Sequence, residues 1–354
     1  MTYKIPLTLT ALALIFGGSL PLDTASAQSI PDNELVIENF IGTINWSNDA
    51  GKIRVIDQDN MKDVNLYEGD SFLIDGGISD PDGNKCEGYY GNFDLNIFNK
   101  KRQGRFGGYE DLEDYPVISL TLPEDTNLVL KNAIVFSEGE PNIAAADLTL
   151  ENCGKINLGN VSEALNLKSK GAADLSFLNA GSLTSDVAGS SDIKGESVGP
   201  LYARGRGSGD IEIETAASLD VEISGSGDLQ VQSVIGDALI KSSGSGDSDL
   251  GDLSGELDYR GAGSGDLSID EIGLDGAKSA KLKSAGSGDI DIDNGLISFL
   301  TLNVSGSSHA DIDATVEDVV ATASGSSDIY INTVTGSVEK RSSGSSGIDI
   351  GRLK

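Results

Sequence analysis

A four-residue glycine motif recurs down the second half of the chain at nearly constant spacing. Copies begin at Gly171 (GAAD), Gly189 (GSSD), Gly207, Gly225, Gly244, Gly263 and Gly286 (all GSGD), Gly306 (GSSH), Gly325 (GSSD) and Gly344 (GSSG). Successive copies are 18, 18, 18, 19, 19, 23, 20, 19 and 19 residues apart. A fixed period near 19 residues means a repeat architecture. The stretch NCGK, Asn152 to Lys155, is a degenerate earlier copy.

The flanks of the motif say what each repeat is. Apolar or small residues alternate before it (Leu219, Val221, Ile223; Leu300, Leu302, Val304) and after it (Leu229, Val231; Leu267, Ile269; Ile348, Ile350). Between them stand mostly Asp, Glu, Ser, Asn and Gln. Period two with one apolar face is a half-buried strand. Each repeat therefore reads as strand, tight turn, strand, looser turn. One such unit cannot bury its apolar face alone, so copies must stack with parallel pairing between counterparts. The expected fold is all-β, a right-handed parallel β-helix (β-solenoid), because crossovers between parallel strands are right-handed. Ten rungs at about 4.8 Å spacing give a rod roughly 50 Å long.

The motif has two readings. As a turn, its paired glycines (Gly207 and Gly209, Gly225 and Gly227, Gly244 and Gly246, Gly263 and Gly265, Gly286 and Gly288) supply positive φ at a tight corner. Its Ser and Asp then bond corner N–H groups. As a cation site, stacking places Asp174, Asp192, Asp210, Asp228, Asp247, Asp266, Asp289 and Asp328 in one column. Neighbours about 4.8 Å apart repel by roughly 1 kcal/mol per pair in water. Backbone donors, screening or a bound cation must offset that. His309 and Gly347 interrupt the column, which favours turns over a dedicated calcium ladder on Asp210, Asp228, Asp247 and Asp266.

The remainder divides in two. Residues 1–27 have the form of a secretory signal: Lys4, an apolar run from Leu7 to Leu20, and ASA at Ala25 to Ala27. No later stretch is apolar enough to span a membrane, so export to the periplasm, outer surface or medium is expected. Residues 28–122 lack the repeat but carry strand-like segments such as ELVIENFIGTINW, Glu34 to Trp46, and read as a strand-rich cap for the solenoid of residues 123–354. Within the cap, Asp80, Asp82 and Asn84 have the one-three-five spacing of a calcium loop, without its glutamate. An ordinary turn-rich loop is the plainer reading. An oxidising compartment permits a disulfide between Cys86 and Cys153, worth on the order of 4 kcal/mol across the roughly 67-residue loop.

Acidic residues outnumber basic ones 56 to 25, giving a net charge of -31. That argues against nucleic acid and anionic membrane as partners. The signal-like start, the strand-rich first part and the GSGD[IL] turns together resemble the autotransporter adhesin, head GIN domain family of bacteria. VIENFIGTINW followed by KIRVID also resembles the start of related adhesin domains. The likeness covers roughly residues 34 to 351. It implies a right-handed β-helix with glycine corners, a role in cell adhesion, and no catalytic residues. The chain departs from the family in its weaker turns at both ends of the repeat and in showing no translocator barrel.

The leading expectation is thus a non-enzymatic exported protein presenting a rigid acidic rod to a surface polysaccharide or protein ligand, with no cofactor beyond a weak case for calcium. A polysaccharide lyase or hydrolase is the rival, since β-helices host such enzymes. It needs acids clustered in a cleft, whereas here acids repeat on every rung and rung length varies little. His309, the single histidine, sits in a turn. A calcium-stabilised structural module is a third reading. Arg204, Arg206 and Arg260, just before turns, are expected to pair with neighbouring acids. Lys340 falls where earlier rungs have inward residues such as Leu302, so either the last rung is frayed or its lysine emerges at the open end.

Overall fold

Alternating sequences become rungs because each strand can hide one face only against its own repeat. In the computed structural model, which describes residues 33–49, 51–61, 63–69, 71–78, 105–106, 110–111 and 115–354, Ile211–Gly225 pairs in parallel with Leu229–Val234 and then with Ala238–Gly244. Ile213 sits beside Val231, and Val221 beside Ile240. The same pairing carries on through Ser248–Leu253, Leu257–Gly263, Leu267–Ile272 and Lys278–Gly286. The result is a β-solenoid of about 12 turns with rungs near 19 residues.

Register through the stack is fixed at the corners. Gly189, Gly207, Gly225, Gly244, Gly263, Gly286, Gly306, Gly325 and Gly344 are successive Cα partners in one column. The 23-residue step leaves this column undisturbed. Its extra residues bulge out between Ile272 and Lys278, where Gly273 and Gly276 take positive φ.

The core is a narrow aliphatic channel. Leu229, Val231, Ile240, Leu250, Leu267, Ile269, Leu282 and Leu302 are at most 2% exposed. Burying each such side chain contributes about 1.5–3 kcal/mol. Two of the buried rings of the repeat sit where glycine makes room. Tyr259, 1% exposed, lies over Gly261, and Phe177 fills the space beside Gly195. A Cβ on either glycine would collide with that ring.

The strand-rich segment before residue 122 enters the stack directly. Glu34–Asn48 pairs in parallel with Asn127–Glu138 on one side. On the other side its halves pair in parallel with Phe72–Asp75 and Val117–Leu122. Those two strands are then covered by antiparallel neighbours, Asn65–Glu68 and Arg54–Asp59. The reversal ends the repeat with two short, mostly exposed strands rather than an open parallel edge. Cys153 is buried and disulfide-bonded. Cys86 and the loop bearing Asp80, Asp82 and Asn84 lie outside the described residues.

Candidate functional site: the GSGD corner and the two faces it separates

The central corner is built from backbone stacked on backbone. Ser226 donates its N–H to the Gly207 carbonyl, Ser245 to Gly225, Ser264 to Gly244 and Ser287 to Gly263, at 2.7–2.8 Å. Gly225 has φ of 128°, and a Cβ built on it would overlap the Gly207 carbonyl. The second glycine of each motif works differently from the expectation. Gly209, Gly227, Gly246, Gly265 and Gly288 are absent from the positive-φ residues. They are glycine because the preceding rung already occupies the place of a side chain: a Cβ on Gly227 would overlap the carbonyl of Gly209. Steric exclusion between rungs, not φ, dictates half of the motif's glycines.

The aspartates also bond between rungs rather than within a corner. Oδ1 of Asp192 accepts the N–H of Asp210 at 3.0 Å, Asp210 that of Asp228 at 2.9 Å, and Asp228 that of Asp247 at 2.8 Å. Asp247 serves Asp266 at 2.9 Å, and Asp266 serves Asp289 at 2.7 Å. At this one position the carboxylate replaces the carbonyl that would continue the ladder. Each charge-assisted bond offsets the repulsion between neighbouring aspartates. At His309 the column loses only its acceptor: the His309 N–H still reaches Asp289 Oδ1, and the N–H of Asp328 turns to the Ser308 carbonyl. Asp210, Asp228, Asp247 and Asp266, considered above for calcium, therefore each spend one oxygen on the next rung. Among the described residues no group of three or more His, Cys, Asp or Glu side chains is gathered to hold a metal ion.

Where the third position is serine, the corner turns its hydroxyl inward. Ser327 is fully buried and its Oγ bonds the carbonyls of Ser324 at 2.8 Å and Val304 at 3.2 Å. Ser308 Oγ meets Ser284 Oγ at 3.0 Å, and Ser191 Oγ meets Ser169 Oγ at 2.7 Å. These GSS corners look like weakened copies in sequence but are fully bonded in the fold.

The corner separates two faces that differ in charge in the central rungs. After the corner, Asp249, Asp270, Asp291, Asp293, Asp311 and Asp313 lie on one sheet, with Asp291 and Asp311 as direct partners. Desolvation raises the pKa of Asp249 and Asp291, and neighbouring aspartates (Asp247 and Asp228 for the first, Asp289 and Asp311 for the second) raise it further. Oδ1 of Asp311 is buried without a hydrogen-bond partner. The buried Tyr259 hydroxyl is pushed up to about 12, by burial first and then by Asp266 and Asp247. Before the corner, the outward residues include Arg204, Lys241, Arg260, Lys281 and Lys283. Arg260 grips Asp258 with two bonds of 2.8 and 3.1 Å, and Arg206 pairs with Asp186. Arg204 makes no ion pair among the described residues. Lys340 is exposed and donates to the Ile348 carbonyl at 3.2 Å, so it does emerge from the last rung.

This is a β-solenoid whose recurrent motif is spent on stacking. No family model, curated protein or solved structure matches the chain.

Proposed function

We propose that the chain is a non-enzymatic, exported rod that presents its flat faces to a surface ligand. One observation carries the reading: the residues that recur most, the GSGD aspartates, are each committed to a backbone amide of the next rung. A carboxylate held that way is a poor proton shuttle or nucleophile, since protonating it weakens the bond that joins two rungs. What remains for function is outward surface on regular strands, which suits binding over chemistry. The signal-like residues 1–27 and the resemblance to head GIN domain adhesins support export and adhesion.

Fractionation of cells expressing the full chain, followed by capture of what the purified protein retains, tests the reading. The expected result is recovery from the envelope or medium together with a surface glycan or protein. Recovery only from the cytoplasm, or release of new sugar ends from a polysaccharide by the purified protein, would overturn it.

A further inference from the structure

Charge on this rod is not spread evenly, and among the described residues a cationic area coincides with a place where the repeat is irregular. Four successive rungs present the outward pairs Leu239 and Lys241, Asp258 and Arg260, Lys281 and Lys283, then Thr301 and Asn303. These eight positions hold four cations and a single acid, in a chain where acids outnumber bases 56 to 25. The acid is already engaged: Asp258 bonds Arg260 at 2.8 Å and lies 3.8 Å from Lys281 Nζ. Lys241, Lys278 and Lys283 make no ion pair among the described residues. The rows of Lys241, Arg260 and Lys283 are in register, so their charges step along the rod at about 4.8 Å.

Beside this strip the fold exposes apolar side chains. Phe299 is the Cα partner of Ser279 and 46% exposed, on the same outward face as Lys281 and Thr301. Leu274, on the loop inserted by the 23-residue step, and Leu296, one rung on, are 44% and 48% exposed. The loop and a register shift between Lys278 and Ser279 mark this as one of the places where the repeat departs from its own rule. Such departures are where a fold built on consistency carries its function.

We propose that this face binds an acidic polysaccharide in which carboxylate-bearing sugars alternate with uncharged ones, lying along the rod axis. The proposal rests on the adhesive reading above and names its ligand. Cations in register meet sugar carboxylates, while Phe299 offers an aromatic face to the C–H face of a neighbouring sugar, with Thr301 and Asn303 as hydrogen-bonding partners. The pattern of a short cationic step followed by an uncharged, partly aromatic one suits sparse charge. A densely charged polyanion would place more charge over Asp220 and Glu222 before the strip and Asp318 beyond it, and they repel it more than a sparsely charged chain. The acidic sheet does not cancel the attraction. Its outward carboxylates stand in solvent on a different face from the strip, where water and counter-ions screen them from a ligand on the cationic side.

The test titrates the full-length protein with an octasaccharide of alternating glucuronate and N-acetylglucosamine. A neutral glucose oligomer, a glutamate peptide and an oligothymidylate serve as comparison probes. The octasaccharide should bind and weaken as salt rises. Lys281→Glu with Lys283→Glu should lose at least about tenfold in affinity, and Phe299→Ser should lose affinity without changing the salt dependence. Asp293→Asn, on the opposite sheet, should bind as the parent does. Unchanged circular dichroism and melting of each variant keep loss of fold out of the comparison. No binding of the octasaccharide, equal binding by the double variant, or tighter binding of the peptide or oligothymidylate would each overturn the proposal. If the double variant still captures the surface ligand found by fractionation, this strip is wrong and the adhesive reading stands. If the parent captures nothing from the surface, the adhesive reading itself falls.

Discussion

The first rungs and the central rungs turn their corners with different chemistry. In Glu34–Asn48 and Asn127–Glu138 the corner is an asparagine: Asn39 and Asn132 have φ of 52° and 49°. Asn132 Nδ2 donates to Asn39 Oδ1 at 2.8 Å, and Asn39 Nδ2 to Asp75 at 3.3 Å. A second run of asparagines, Asn48, Asn142, Asn160 and Asn179, is linked by bonds of 2.6–2.9 Å. Asparagine tolerates the left-handed conformation and brings donor and acceptor in one neutral side chain. In the central rungs glycine brings the backbones closer and aspartate supplies only an acceptor. Both corners are tied to the neighbouring rung, the asparagine corner from side chain to side chain and the GSGD corner from carboxylate to backbone N–H. The GSGD corner also packs backbone on backbone, which is why its two glycines recur together.

The two glycine environments of the central region give the largest expected effect. Gly227→Ala places a Cβ on the Gly209 carbonyl and should destabilise by about 2–4 kcal/mol, since neither backbone can move without disturbing its own neighbours. Gly205→Ala has room: its Cβ would lie 3.9 Å from Ile223, and the space beside it is a gap of about 10 Å³. It should stabilise by roughly 0.5 kcal/mol through the unfolded chain. Thermal melts of the pair decide the matter, and a shared sign of effect would show that rung stacking does not set glycine usage.

The asparagine ladder should respond less sharply. Asn132→Gly keeps the backbone conformation and loses the amide bond, costing about 1 kcal/mol, whereas Asn132→Ala also strains φ and costs about 2 kcal/mol. Equal melting points for these variants would remove the left-handed corner from the account.

The smallest shifts separate acids by their surroundings. Asp249 and Asp291 have pKa values raised above 3.8, chiefly by desolvation. A carboxyl raised in the folded state favours folding when protonated. That contribution is full below pH 3.8 and is lost as pH rises through the raised value. Asp318 is the reverse. Ser337 donates both its hydroxyl and its N–H to it, and its lowered pKa gives stability present above pH 3.8 and lost as pH falls through the lowered value. At neutral pH, Asp249→Asn should therefore raise the melting temperature slightly and Asp318→Asn lower it. Both differences should shrink in acid. A stabilising Asp318→Asn would contradict the assignment.

The repeat, its period and its inward residues are legible in the sequence because alternation and glycine spacing report directly on pleat and corner. Leu229, Val231, Leu267 and Ile269 are buried as that pattern requires. The purpose of Gly227 was not legible, since a Cβ clash with Gly209 exists only once two rungs are stacked 18 residues apart. The same holds for the inter-rung bonds of the aspartates. Asn39 and Asn132 sit 93 residues apart in dissimilar surroundings, so no local pattern pairs them. The cationic strip was hidden for a related reason. Arg260 stands out in sequence only by its place before a turn and Lys241 and Lys283 not at all, and the three become a row only through the register that includes the 23-residue step.

The central claim is that each motif aspartate holds the next rung through its backbone amide. Amide hydrogen exchange on the full chain tests it most directly. The N–H groups of Asp228, Asp247 and Asp266 should exchange slowly although their residues lie at solvent-facing corners, and Asp228→Ala should release the amide of Asp247 while leaving that of Asp228 itself protected by Asp210. Asp228→Asn should keep Asp247 protected, because its side-chain oxygen still accepts. Exchange of these amides at the rate of an open loop in the parent protein, or loss of protection at Asp228 and Asp247 together in the alanine variant, would contradict the account.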